Sequence, residues 1–181
     1  MSITNNDIPI FYKKEVLLVQ TEDVIYYGLE GAKKLSEKLY RHPGYDVIGT
    51  GGCFDIIHRG HIYLLEEAKK LGINLIVFIN SDTSFEIVKH RKPYNRYREY
   101  IIAALRPTNY VVVFDEETPC EAIKIIKPAL WVKGYEYYGK TIPEMQVMRA
   151  EKIRYIPREF ELSTTKIVNR IREESNANTS S

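Results

Sequence analysis

The sequence predicts an α/β domain: a doubly wound parallel sheet of about five strands with helices on both faces. Three observations lead there. Short apolar runs of strand length alternate with amphipathic stretches of helix length along most of the 181 residues. The strand-length runs are apolar throughout, as expected of strands covered on both sides. Each run is separated from the next by enough chain for the helical crossover that parallel pairing requires.

The first strand of the series is 46–50, where Tyr45-Asp46-Val47-Ile48 runs into the glycine pair Gly51-Gly52. The helix after it is 61–71, with Ile62, Leu65 and Ala68 on one stripe and Glu66, Lys69 and Lys70 elsewhere. Strands follow at 74–80, 110–114, 130–133 and 152–156, and helices at 97–105, 119–126, 143–149 and 164–172. In the last helix Ile167, Val168 and Ile171 recur with helical period. Residues 45–173 thus read as one domain, and the polar stretch 174–181 as a disordered tail. Residues 1–44 form an N-terminal extension. It holds an apolar run at 15–19 of strand type and a helical stripe of Ala32, Leu35 and Leu39. It is either an added edge or self-association element, or a helix packed on its own domain.

Composition narrows the function classes. With 26 basic and 24 acidic residues the formal net charge is +2, which gives no basic face for nucleic acid. Cys53 and Cys120 are far apart and form no Cys-x-x-Cys pair, as expected of a protein in a reducing cytoplasm. No apolar run approaches membrane-spanning length, and the first residues lack a signal-peptide pattern. The expectation is a cytoplasmic protein with no nucleic-acid or membrane partner.

The most informative segment is Gly51-Gly52-Cys53-Phe54-Asp55-Ile56-Ile57-His58-Arg59-Gly60-His61. It joins a buried strand to a helix start. The first N–H groups of a helix lack internal partners, and the helix dipole makes that end positive. Acids and hydroxyls usually sit there. Here the first turn offers His58, Arg59 and His61, which suits a bound anion. Gly60 allows a ligand close to the backbone. The plainer reading is a pair of surface histidines. A second such start follows at Leu162-Ser163-Thr164-Thr165-Lys166: Ser163 reads as an N-cap, but Lys166 stands where a capping box would place Glu or Gln. Its plainer reading is an ordinary hydroxyl cap with a solvated lysine.

The pattern Gly-x-Phe-Asp-x-x-His-x-Gly-His at 52–61 resembles the nucleotidyltransferase superfamily that makes activated alcohols and sugars, the cytidylyltransferase-like group. The resemblance runs from about Tyr45 to Ile171. Asn80-Ser81-Asp82, Phe114-Asp115-Glu116-Glu117-Thr118-Pro119 and Val132-Lys133-Gly134 are similar to the heptose-1-phosphate adenylyltransferase branch. So is Cys53 at a position where threonine is common. Pro157-Arg158 and Ser163-Thr164-Thr165-Lys166-Ile167 are closer to the glycerol-3-phosphate cytidylyltransferase branch. The chain departs from both. Glu161 replaces a glycine of the cytidylyltransferase pattern. Tyr135-Glu136-Tyr137 stands where the adenylyltransferases have Gly-Asp-Tyr and where cytidylyltransferases often place a tryptophan at 137.

The resemblance implies a Rossmann-like domain using ATP or CTP with Mg2+. A substrate phosphate attacks the nucleotide α-phosphorus and pyrophosphate leaves. It implies catalytic roles for His58, His61, Lys92 and Arg158. Gly51, Gly52, Cys53, Phe54, Gly60, Lys89, Lys133, Gly134, Ser163, Thr164 and Thr165 would bind nucleotide, and Asp55, Asn80, Asp82 and Arg98 the acceptor. Asp55 is alternatively a structural cap, and Arg98 alternatively holds the loop before it. Of the loop lysines at least one is functional, but which one stays open. Magnesium would be held by nucleotide phosphates and water rather than by a cluster of protein ligands. Relatives are often homodimers.

The leading expectation is an adenylyltransferase acting on a sugar 1-phosphate of the heptose kind. The alternative within the family is a cytidylyltransferase acting on glycerol 3-phosphate or a similar alcohol phosphate. The alternative from another class is a non-catalytic nucleotide-binding regulator. Zinc held by His58, His61 and Cys53 lacks an evident fourth ligand. A dinucleotide-binding site would want Gly-x-Gly-x-x-Gly after the first strand, which residues 50–55 do not supply. Class I aminoacyl-tRNA synthetases share His-x-Gly-His, but this chain is too short for their tRNA-binding parts.

Overall fold

The computed structural model describes residues 23–40, 46–159 and 163–179. The apolar run at 15–19, read as an extra strand, lies outside the described residues. Within them six strands form one sheet in the order β1-β4-β3-β2-β5-β6. All five pairings are parallel. The strands are β1 (Ile25–Tyr27), β2 (Val47–Gly52), β3 (Asn74–Asn80), β4 (Tyr110–Phe114), β5 (Leu130–Gly134) and β6 (Ile153–Ile156). The helices are α1 (Gly28–Tyr40), α2 (Arg59–Lys69), α3 (Asp82–Lys89), α4 (Arg98–Ala103), α5 (Cys120–Ile126) and α6 (Thr164–Thr179).

The sheet is covered on both faces because its strands are apolar on both. In β3, Ile76 and Phe78 join a core with Ala32 and Leu35 of α1 and Ala122, Ile123 and Ile126 of α5. Leu75, Val77 and Ile79 turn the other way, towards Leu65 and Ala68 of α2 and Ile102 of α4. Trp131 of β5 is fully buried against Phe78. A β-carbon at Gly49 would stand 2.5 Å from the Trp131 ring, so this strand position has to be glycine for the indole to fit.

Chain order reverses at β2, which lies between β3 and β5. Doubly wound sheets bind ligands beyond the C-terminal ends of the strands at such a switch point. The turn after Gly52 and the segment after Gly134 both leave the sheet there.

Several elements differ from the sequence expectation. The sheet has six strands rather than about five: β1 contributes only three residues, too few for a periodic signal, and pairs Ile25 with Val111 at the edge. α1 packs its apolar stripe into the same core as α5. α3 is an addition to the helices expected from the sequence, because its apolar pattern is weak. Ser81 caps it, accepting from the Ser84 N–H at 3.2 Å, and Phe85 is the large side chain it buries. The helix expected at 143–149 is one short 3₁₀ turn, Pro143–Gln146. α6 runs on to Thr179, so residues 174–179, expected as a loose tail, continue the helix.

Candidate active site

The turn after β2 sets the site. Its left-handed residue is not one of the glycines but Phe54, at φ 45°. That conformation is costly for an aromatic residue and persists only where the surroundings over-determine it. Here two things hold it. The Phe54 ring is 3% exposed, packed in the core on the α2 side and 5.1 Å from the His61 ring. The next residue, Asp55, is 4% exposed. Its carboxylate accepts from Arg91 Nη2 at 2.8 Å and from the backbone N–H groups of Tyr94 and Asn95 at 2.7 and 3.2 Å. Asp55 therefore clasps the loop after α3 to the histidine turn.

His58 is the extended N-cap residue of α2, and its carbonyl accepts from the His61 N–H at 2.9 Å. The two imidazoles stack, with ring centroids 3.9 Å apart and planes 22° from parallel. Nδ1 of each ring is buried without a hydrogen-bond partner. The first turn of α2 carries no acid. Burial, then the Arg158 charge, lowers the His58 pKa. Burial, then His58, pushes His61 down to about 4 against a smaller opposing contribution from the Ile56 backbone. Gly60 matters here for a reason beyond ligand approach: a β-carbon on it would meet the His58 ring at 3.1 Å.

These groups open on a cleft of about 590 Å³. Its walls take residues 51–55, His58, Gly60 and His61 from the turn, and Lys89 and Arg91 from the end of α3 and the loop after it. Lys133, Gly134, Glu136 and Tyr137 come from the end of β5, and Arg158, Ser163, Thr164 and Thr165 from the entry to α6. The Ser163 hydroxyl accepts from the Lys166 N–H at 3.2 Å, so Ser163 is the cap that its position predicts. A larger hollow of about 740 Å³ lies between α5 and the 147–152 segment. None of the expected site residues reaches it, so the chemistry favours the smaller cleft.

Four expected residues do not line this cleft. Arg98 is 1% exposed. It donates to the carbonyls of Cys53 and Asn80 and to Asp82 Oδ1, at 2.7, 2.7 and 2.8 Å, joining the ends of β2 and β3. Asp82 is taken up by that pair. Asn80 donates through Nδ2 to the Ser84 hydroxyl at 2.7 Å, and its Oδ1 faces the Cys53 thiol at 3.6 Å. Three of the four residues expected to bind acceptor, Asn80, Asp82 and Arg98, thus brace the wall, and the fourth, Asp55, lines the cleft. Lys92 is exposed outside the lining, whereas its neighbour Arg91 is inside it and stacks 4.1 Å from the Tyr94 ring centroid. Arg91, Glu136 and Tyr137 were missed because nothing in a polar loop or a tyrosine-rich segment says which side chain turns inward.

Burial raises the Cys53 pKa, with the Lys89 and Arg98 charges opposing it, which keeps the thiol protonated. Among the described residues no three His, Cys, Asp or Glu side chains are grouped to hold a metal ion.

Residues 50–172 match the model of the cytidylyltransferase-like family. The chain is 40% identical over 164 residues to the bifunctional protein HldE of a Nitratiruptor species, a match covering 89% of this chain and 35% of that protein. It is 42% identical over 132 residues to the bifunctional protein HldE of Campylobacter fetus, covering 71% of this chain and 28% of that one. The chain spans about a third of the length of the curated relatives it matches. Among solved structures, a pantoate-beta-alanine ligase from Francisella tularensis superposes with a TM-score of 0.59 at 16% identity, covering 83% of this chain and 78% of the other. A lipopolysaccharide core biosynthesis protein from Thermoplasma volcanium does so at 0.51 and 22%, covering 64% and 98%. At those identities the likeness speaks for the fold. The family match, by contrast, takes in both the histidine turn and the start of α6, and the chain belongs to the cytidylyltransferase-like family.

Proposed function

We propose that the chain is a nucleotidyltransferase that moves AMP from ATP to the phosphate of a small sugar 1-phosphate of the heptose kind, releasing pyrophosphate. The observation that carries this reading is the stacked His58–His61 pair at a helix start free of acids, facing a second hydroxyl-capped helix start across one cleft. The relatives at about 40% identity are bifunctional proteins, and this chain matches about a third of their length, with the family domain at its residues 50–172.

In this reading an oxygen of the acceptor phosphate attacks the α-phosphorus, and the bond from that phosphorus to the bridging oxygen breaks. The departing pyrophosphate takes the electron pair. The acceptor is already an anion, so no base is required. Catalysis is then positioning and charge neutralisation. His58 and His61 donate to α-phosphate oxygens. Lys89, Arg91 and Arg158 meet the charge that grows on pyrophosphate, and the hydroxyls and free N–H groups at 163–165 grip the β- and γ-phosphates. Magnesium enters with the nucleotide as part of the substrate, on phosphate oxygens and water, and the cation-lined cleft suits such a complex. Asp55 and Arg98 act by holding the walls rather than by touching the acceptor. Residues 45–173 are the catalytic unit. The reading includes a cytoplasmic homodimer acting on small molecules; no described helix is long and apolar enough to cross a membrane.

Pyrophosphate release tests the reading. ATP, CTP, GTP and UTP, each with magnesium, are presented with sugar 1-phosphates, glycerol 3-phosphate and phosphocholine. Release with ATP and a heptose or hexose 1-phosphate is expected. Release only with CTP and an alcohol phosphate would move the protein to the branch that its 158–167 segment resembles. Nucleotide binding without release across the panel would favour the regulator.

A further inference from the structure

Glu144 is the most deeply buried carboxylate described, 2% exposed, on the short 3₁₀ turn Pro143–Gln146. Its Oε1 lies 2.8 Å from Lys133 Nζ, while its Oε2 is buried with no partner. Lys133 is itself 9% exposed, yet it lines the cleft, which Glu144 does not. The same Nζ stands 3.5 Å from the Gly51 carbonyl and 4.7 Å from the centre of the Tyr137 ring. A buried ion pair is a poor source of stability, because desolvating both charges offsets their attraction and an apolar pair of the same volume does as well. What the pair accomplishes is placement. A lysine is a long, flexible chain, and in a cleft that also holds Lys89, Arg91 and Arg158 other cations would repel it outward. The Glu144 charge instead holds the ammonium against the end of β2, beside the histidine turn. Glu144 and Gly51 account for two of its three N–H donors.

We propose that Glu144 is a positioning residue. Its charge fixes Lys133 at the floor of the cleft, and Lys133 donates to a phosphate oxygen of the nucleotide. The inference rests on the nucleotidyltransferase reading.

A double-mutant cycle tests it, with Lys133→Met, Glu144→Gln and the two together. Pyrophosphate release is read as kcat/KM, with melting temperature followed alongside. Lys133→Met is expected to lower kcat/KM by about tenfold or more. Glu144→Gln keeps the side chain's size but removes the charge, and is expected to lower kcat/KM by a comparable factor. The double variant should be no worse than Lys133→Met alone, since Glu144 acts only through the lysine. Wild-type kcat/KM in Glu144→Gln, or losses that multiply in the double variant, would overturn the proposal. Should Glu144→Gln not fold, Glu144→Asp keeps the charge and withdraws it by one methylene. It is expected to lose kcat/KM at an unchanged melting temperature, and wild-type kcat/KM there overturns the proposal equally. The wild type is assayed first. Silence with every acceptor refutes the nucleotidyltransferase reading alone, and the same cycle is then read in the dissociation constant for magnesium–ATP.

Discussion

The His58 and His61 rings lie face to face at 3.9 Å over the first turn of α2, with neither Nδ1 hydrogen-bonded. Two imidazolium ions at that separation would repel strongly, and the helix end adds further positive potential. Burial lowers both pKa values, helped by the Arg158 charge at His58 and by His58 at His61, so that at neutral pH each ring is neutral and carries one N–H to donate.

This gives a stability–pH prediction. His61 is pushed down to about 4 in the fold, against an ordinary value of 6.5. The unfolded chain therefore binds the extra proton first as pH falls. The stability linked to His61 is fully present above about pH 6.5 and is lost as pH drops towards about 4, a change on the order of 3 kcal/mol. In denaturant melts across that window the wild type should lose stability relative to His61→Gln as pH falls. Parallel curves would mean that His61 titrates normally.

His58→Ala and His61→Ala are each expected to keep the fold and lose turnover by about a hundredfold or more, the usual cost of one well-aimed donor to a developing anion. Circular dichroism checks the fold and pyrophosphate release checks the rate. Wild-type rates in either variant would remove that histidine from the chemistry.

Arg91 and Lys92 are sequence neighbours with opposite expectations. Arg91 lines the cleft and completes the Asp55 clasp, whereas Lys92 is exposed. Arg91→Ala should lower kcat/KM roughly tenfold, the value of a hydrogen bond to a charged partner. Lys92→Ala should stay within about twofold, as exposed substitutions usually do. The reverse order in steady-state kinetics would return catalysis to Lys92.

Arg98 offers a test of bracing against binding. Arg98→Ala leaves two buried carbonyls and Asp82 without their donor, and should cost on the order of 3 kcal/mol or more in a denaturant melt. Lysine should restore little, because it cannot reproduce the fork that spans two strand ends. In any variant that stays folded at the assay temperature, the KM for acceptor should be unchanged. A selective rise in that KM would make Arg98 a binding residue after all.

β3 and β4 were legible to the residue, since Asn74–Asn80 and Tyr110–Phe114 are apolar and sharply bounded. β1 and α3 were not. Three residues carry no period, and α3 buries a single large side chain. In the candidate site, His58 and His61 were legible because they break the usual chemistry of a helix start, and Ser163 and Thr164 because a hydroxyl cap marks one, rules that act within one turn of chain. Glu144 and Arg91 follow no local rule.

Chain order and apolar pattern by themselves determined a parallel α/β sheet, the chemistry of a helix start singled out the histidine turn after its first long strand, and the motif at 52–61 carried the resemblance to the family. Periodicity and helix capping are short-range physics, readable along one strand or one turn. Only the tertiary structure decided which polar side chains face the cleft and which are spent bracing it. Arg98 went to the carbonyls of two strands, Asp55 to a loop some forty residues on, and Lys133 to Glu144. A buried donor or charge takes whichever partner the packed strands bring within reach, and that distance exists only once the sheet has formed.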